Sequence, residues 1–319
     1  MKTNSKVRAF SLIELSIVIL IIGILIAGVT QGSRILSQAK LNNARTTTKS
    51  APVSSIKNLA LWIESTSEES ITDAAAEDGQ EVLTWYDLNP QTALKADFSA
   101  TTGATAPHYK TNVINGLPAI QFDGGDFMSS STFQNIVTRS STVFMVVKTP
   151  STLATKTILS KRPDAAYGSS RPNIQVGLTS GGKWQYCDSN GIATSADTCN
   201  FQSSATGFAI NTPYVVSIVF VADSASGGGT KTSTGYNFFE NGVGQGYGLT
   251  TSGSGLGEPN TSVTESLFLG KHGATTATYF TGHVGEIIIF DRNLKKEERQ
   301  SIEAYLGKKW GVAMTTAAY

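Results

Sequence analysis

The side chain most out of place is Glu14. It is the one charge in the twenty residues from Phe10 to Val29, a run otherwise dominated by apolar side chains. A carboxylate at membrane depth costs roughly 2.5 to 3.5 kcal/mol on insertion scales, so a plain anchor has no use for it and a functional role is the default. The two cysteines, Cys187 and Cys199, are separated by eleven residues that include Gly191. Outside the cytoplasm that spacing reads as a local disulfide, with two free thiols as the alternative. Hard oxygens suited to calcium occur at Asp123 and Asp126 on a glycine-rich turn, and at Asp188, Asn190 and Asp197 between the cysteines. The simpler reading is that these are turn residues satisfying their own backbone. His108, His272 and His283 are scattered without zinc-site spacing.

Catalytic patterns are missing from the sequence. No Glu-x-Asp-x-x-Glu strand pairs an acid with a nucleophile across a sugar bond, and there is no Gly-x-Ser-x-Gly elbow or P-loop. Gly242-Val243-Gly244-Gln245-Gly246 lacks the βαβ context of a dinucleotide loop and reads as a flexible turn. The expectation is a non-enzyme with no catalytic residues and no cofactor beyond a calcium ion. Trp184 and Tyr186 could stack a sugar, but each lies in a strand pattern and could equally face the core.

The elements that position these groups begin with an uneven charge distribution. The 319 residues carry a formal net charge of +1, yet residues 1–49 hold seven of the 25 basic groups and one of the 24 acids. The remainder is mildly acidic and lacks the basic stripe that nucleic acid would require. Phe10 to Val29 is long enough to cross a hydrocarbon core of ~30 Å at about 1.5 Å per residue. Lys2, Lys6 and Arg8 precede it and only Arg34 follows closely, which places the N-terminus in the cytoplasm and the body outside. The run is too long for an ordinary secretory signal and leads into more helix-compatible sequence. Helix can continue to Lys49, with Gly28 and Gly32 as points of bending or of close helix approach. Ala51-Pro52 ends it.

Arg8-Ala9-Phe10-Ser11-Leu12-Ile13-Glu14-Leu15 resembles the processing site of type IV pilins and type II secretion pseudopilins. The resemblance implies that prepilin peptidase cuts between Ala9 and Phe10 on the cytoplasmic side and methylates the new amine. It also implies that the ammonium of Phe10 on one subunit pairs with Glu14 of a neighbour in the apolar filament core, where an unpaired ion would be costly. Ala9 stands where that family usually has glycine.

From Ile56 onward, short apolar stretches are punctuated by Gly, Ser, Thr and Asn, the pattern of an all-β body. Strands are expected at Ala119–Phe122, Thr142–Lys148, Thr157–Ser160, Ile174–Leu178, Lys183–Cys187, Val215–Ala222, Tyr236–Glu240, Leu267–Lys271 and Gly282–Asp291. Asn241-Gly242 marks a hairpin turn. Nine strands suit a two-sheet antiparallel jelly roll. A closing helix is expected, capped by Asn293, with Glu297 and Glu298 in its first turns, Ile302, Tyr305, Leu306 and Trp310 on its packed face, and Lys308 and Lys309 at its end.

The ordered series Leu61-Trp62-Ile63, Trp85-Tyr86-Asp87, Asn115 to Gly124, Phe239-Glu240-Asn241-Gly242 and Gly285 to Arg292 resembles laminin G-like and concanavalin A-like domains over nearly all of residues 56–312. That superfamily often binds glycans or protein ligands, sometimes with calcium. The combined expectation is an α+β chain: a leader at 1–9, a transmembrane and filament-core helix at 10–50 and a jelly-roll head at 51–319. Such a chain would be made at the inner membrane and assembled with copies of itself or other pilins into an extracellular pilus. A secretion pseudopilin and a membrane-anchored, non-polymerising lectin are the alternatives.

Overall fold

The computed structural model describes residues 11–72, 74–137, 140–162, 173–186, 201–203, 207–221, 236–246, 248–249, 263–273 and 278–315. Helix α1 (Leu12–Lys49) runs unbroken through Gly23, Gly28 and Gly32. Beyond the helix's own adjacent backbone, no heavy atom of the described residues lies within 4 Å of where a Cβ would stand on any of the three. Pro52 opens a short 3-10 turn, Pro52–Ser55, as expected of a residue without an N–H at a helix start.

Two antiparallel sheets follow. The first contains β1 (Leu59–Glu64), β4 (His108–Ile114), β5 (Leu117–Asp123), β7 (Ser141–Lys148), β12 (Pro213–Phe220), β13 (Tyr236–Glu240), β14 (Val243–Gly244) and β17 (Thr281–Phe290). Its order is β14-β13-β12-β7-β17-β5-β4, and β1 shares one edge of β17 end to end with β5. The second contains β2 (Thr84–Trp85), β3 (Phe98–Ser99), β6 (Met128–Ser130), β8 (Lys156–Lys161), β9 (Ile174–Leu178), β10 (Trp184–Tyr186), β11 (Phe201–Gln202), β15 (Gly248–Leu249) and β16 (Leu267–Leu269), in the order β15-β11-β10-β9-β8-β16-β6-β3-β2.

Side-chain alternation fixes the layers. Val143, Met145 and Val147 of β7, with Val284, Ile287 and Ile289 of β17, enter a core shared with Val176, Trp184, Met128 and Leu269 of the second sheet. Phe144, Val146, Ile288 and Phe290 point the other way, against α1 and helix α2 (Lys296–Trp310). Both faces of the central strands are therefore buried. That is why Ile287–Phe290 reads as an unbroken apolar run rather than an alternating one.

All nine expected strands are present to within one or two residues at the ends that are described; Cys187, at the end of the fifth, lies outside the described residues. The Asn241-Gly242 hairpin is present, with φ of 49° and 82° and Glu240 facing Val243. Asn115-Gly116 makes the same turn between β4 and β5, with φ of 51° and 92°. Both pairs supply the left-handed backbone that the twist of a two-residue hairpin requires.

Two expectations about α2 need correction. Its N-cap is Lys295, not Asn293; the Lys295 backbone N–H donates to Glu298 at 2.9 Å, and Arg292 forks onto the same carboxylate at 2.7 and 2.9 Å. These contacts hold the Glu298 carboxyl down at about 2, with the Arg292 hydrogen bonds the largest cause. Lys309 does not lie free at the helix end. It turns inward, fully buried, between Glu64 and Glu286. Only Lys308 is left exposed to complement the helix dipole.

Candidate functional site

Helix α1 starts from a complete capping box. Ser11 Oγ accepts the Ile13 N–H at 3.3 Å, and Glu14 Oε2 accepts the Ser11 N–H at 2.9 Å. Both donors would otherwise be orphaned at the helix N-terminus. In the single chain the Glu14 carboxylate is thus held by its own helix end, with one oxygen engaged. From Leu12 to Val29 the apolar side chains face outward; Leu12, for instance, is 85 % exposed. This helix is long and apolar enough to cross a membrane.

The last turns of α1 dock on the head. Ala44 and Thr48 are buried in the layer between the first sheet and α2. Arg45 Nε donates to the Thr66 carbonyl at 2.9 Å, and its guanidinium pairs with Glu68. Lys40 Nζ reaches the Asn115 carbonyl at 3.4 Å. Beside this joint lies a cavity of about 290 Å³ lined by Arg45, Thr48, Lys49, Trp62, Glu68 and Leu88, among others.

The turn candidates stand on the head. Asp126 Oδ2 accepts the Asp123 N–H at 2.9 Å and Asp123 Oδ1 accepts the Gly125 N–H at 2.8 Å, so each carboxylate satisfies backbone within its own turn. Burial pushes the Asp126 carboxyl up to about 6. Among the described residues there is no cluster of three or more His, Cys, Asp or Glu able to hold a metal ion. Ala9, Phe10, Cys187, Asp188, Asn190, Asp197 and Cys199 lie outside the described residues.

His108 on β4 and His283 on β17 stand opposite Gln121 from either side of β5. His272 Nε2 is 2.8 Å from Arg162, and His283 is depressed to about 4 by burial first and then by Lys148 and Lys110. Trp184 and Tyr186 face the core, Trp184 donating to Glu240 at 2.6 Å and Tyr186 stacking on Phe220 with centroids 5.5 Å apart. Neither offers a ring to a sugar. Trp310 is in the core as expected.

Residues 4–30 match the family model of the prokaryotic N-terminal methylation motif. The match spans Ala9, Phe10 and Glu14 and ends within the outward-facing part of α1. No curated protein matches the chain in sequence. Among solved structures, the Trypanosoma rangeli sialidase in complex with sialic acid is similar at 11 % identity and a TM-score of 0.47, over 79 % of this chain and 33 % of that one. Domain 4 of AbnA, an extracellular arabinanase from Geobacillus stearothermophilus in complex with arabinotriose, is similar at 13 % identity and a TM-score of 0.43, over 77 % of this chain and 97 % of that one. The chain spans about a third of the length of the sialidase it matches.

Arg45, Thr66, Glu64 and Glu286 carry no site assignment in the sequence, and Lys309 stands there only as a charge at the end of the closing helix. Their one signal was Glu286 within Gly285-Glu286-Ile287-Ile288, a charge in a doubly buried strand, which asks for a buried partner.

Proposed function

We propose that this chain is a type IV pilin-like structural subunit. Prepilin peptidase removes residues 1–9 by cutting between Ala9 and Phe10, residues 10–50 form the membrane and filament-core helix, and residues 51–319 form an extracellular head. Before assembly the precursor sits in the inner membrane with its N-terminus inside. In the filament the helix packs on copies of itself or on other pilins. The observation that carries this reading is the methylation motif over residues 4–30, coincident with an outward-facing apolar helix that begins at Glu14's own cap. The new amine of Phe10 would stand a turn before Glu14, and a neighbour's amine would neutralise the carboxylate more fully than one backbone N–H does.

The head is read as a laminin G-like jelly roll that presents a surface for a glycan or protein ligand, as in adhesion. This part rests on the motif series and on the two-sheet architecture. Mass spectrometry of the mature chain is expected to show N-methylated Phe10 as the first residue; a retained Met1 overturns the reading. Glu14→Ala is expected to leave membrane insertion intact and to abolish incorporation into filaments. Normal fibres containing that variant would refute the role given to the carboxylate. Binding of the purified protein to a glycan array tests the head.

A further inference from the structure

Beneath α2 lies a charged group that the filament reading does not use. Lys309 Nζ is 2.9 Å from Glu64 Oε2 and 2.8 Å from Glu286 Oε2, and all three side chains have no solvent exposure. Aromatic residues close the site: Trp62 Nε1 and Tyr305 Oη donate to Glu286 Oε1 at 2.9 and 2.8 Å, and Trp310 Nε1 donates to Glu286 Oε2 at 2.8 Å. Lys309 Nζ also lies 5.2 Å from the Trp310 ring centroid and 5.7 Å from that of Tyr305. Two carboxylates and one ammonium put three charges where no side chain is exposed to solvent, and burying each ion is expensive even when it is paired.

The two carboxylates are held differently. Glu286 has donors on both oxygens. Glu64 has them on one: Oε2 accepts the Thr66 N–H and the Thr66 hydroxyl, both at 2.6 Å, in addition to Lys309. Oε1 is buried without a hydrogen-bond partner. Two fixed donors on one oxygen and none on the other is the arrangement that stabilises charge on the first while the second departs.

We propose that Lys309 and Glu64 condense to an internal amide bond, with Glu286 as the proton carrier. The step begins as one proton passes from the Lys309 ammonium to Glu64, which leaves a neutral amine and a neutral carboxyl. The amine nitrogen attacks Cδ of Glu64, and the charge that develops on Oε2 is received by the two Thr66 donors. Glu286 Oε2, 2.8 Å from Nζ, takes the surplus proton from nitrogen, and that proton passes to the departing hydroxyl once Oε1 and nitrogen are geminal on Cδ. The Nζ–Cδ bond forms, the Cδ–Oε1 bond breaks and one water leaves. Lys309 has lost two protons and its charge, Glu64 one oxygen and its charge, and Glu286 is unchanged, so no oxidant or co-reactant is needed. The product leaves Glu286 as the one charge in the cluster, held by Trp62, Tyr305 and Trp310.

The bond would join β1, the first strand after α1, directly to the C-terminal helix. If the chain is a filament subunit, load arriving along α1 would pass to α2 without unzipping β1 from β17; this mechanical role rests on the proposed function, whereas the bond itself does not.

The test is the intact mass of the full mature chain in detergent after reduction of any disulfide, followed by peptide mapping. A mass one water below that of the chain counted from its observed first residue, N-methyl group included, with a linked peptide pairing Lys309 with Glu64, is the expected result. A full mass from folded, protease-resistant protein overturns the proposal and leaves an ionic cluster. A link from Lys309 to Glu286 overturns the assignment of the electrophile. Glu286→Gln, if folded, is expected to lack the water loss, and retention of the bond at the original rate removes Glu286 as proton carrier. Lys309→Met supplies the unlinked reference mass.

Discussion

Two titratable side chains in the head oppose each other with pH. Asp126, with burial raising its carboxyl to about 6, favours the fold when protonated; its contribution is full below the unfolded value near 3.8 and is lost as pH rises through 6. His283, depressed to about 4, favours the fold when neutral; its contribution is full above 6.5 and is lost as pH falls through 4. Between pH 4 and 6 the two slopes have opposite signs and comparable size, so the native protein should show little net dependence from this pair. Asp126→Asn is expected to expose the histidine slope, raising stability at pH 7.5 by about 1 to 2 kcal/mol after allowance for solvent screening and changing little at pH 4. His283→Gln is expected to expose the opposite slope, with stability gained toward acid. Thermal unfolding of the full chain in detergent at pH 4, 5.5 and 7.5 measures both, and parallel curves for all three proteins would contradict the assignment. The sequence marked Asp126 as a turn residue, as it is. Its perturbation comes from burial under neighbours distant in sequence, which no local pattern encodes.

At the scale of elements, β17 shows how a local irregularity seats a helix. Its register against β7 shifts between Val284 and Glu286, so Gly285 sits in a bulge. A Cβ at Gly285 would lie 2.7 Å from Cη2 of Trp310 and within 3.0 Å of two further ring atoms. The bulge therefore lets the indole lie flat on the sheet and reach Glu286. Gly285→Ala is expected to cost about 1 to 3 kcal/mol by overpacking, read as a lower denaturation midpoint with an unchanged m-value. An unaltered midpoint would mean that α2 shifts freely. The strands themselves were legible because β-branched and aromatic runs are bounded by turn residues, and Ile174–Leu178 and Tyr236–Glu240 fall on their expected limits. The two-residue pieces at Thr84–Trp85, Phe98–Ser99 and Val243–Gly244 were not, since two residues are too few to show a period. β1 and β4 were missed for another reason. Leu59–Glu64 has both faces covered and so does not alternate, and His108–Ile114 is polar on an edge. The Asn293 cap failed because Arg292 and Glu298 fix the chain two residues later than the local cap preference indicates.

Across the whole molecule, α1 is two structures in one sequence. Its first half is an apolar rod whose partners must come from a bilayer or another subunit; its last turns belong to the head. Ala44 and Thr48 complete the layer that also holds Val53, Ile288, Ile302 and Leu306, while Arg45 ties the helix to Thr66 and Glu68. Composition separated rod from body at Ala51-Pro52, where helix geometry ends, but the mechanical boundary lies earlier, near Lys40, where α1 first touches the head through Asn115. A sequence break marks where the backbone stops being helical, whereas docking depends on side chains a few turns upstream meeting elements 20 to 260 residues away. This difference makes a prediction about truncation. A chain beginning at residue 34 should lose the apolar rod, become soluble without detergent, and retain the unfolding midpoint of the full protein. A chain beginning at residue 51 would uncover Ile302, Tyr305 and Leu306 and lose the Arg45 contacts. Removing the small side chains and helix backbone that cover that layer is comparable to opening a cavity in it, so a loss of about 2 to 5 kcal/mol is expected. Equal midpoints for the two truncated chains would mean that the head is complete without α1 and that the rod is only tethered to it.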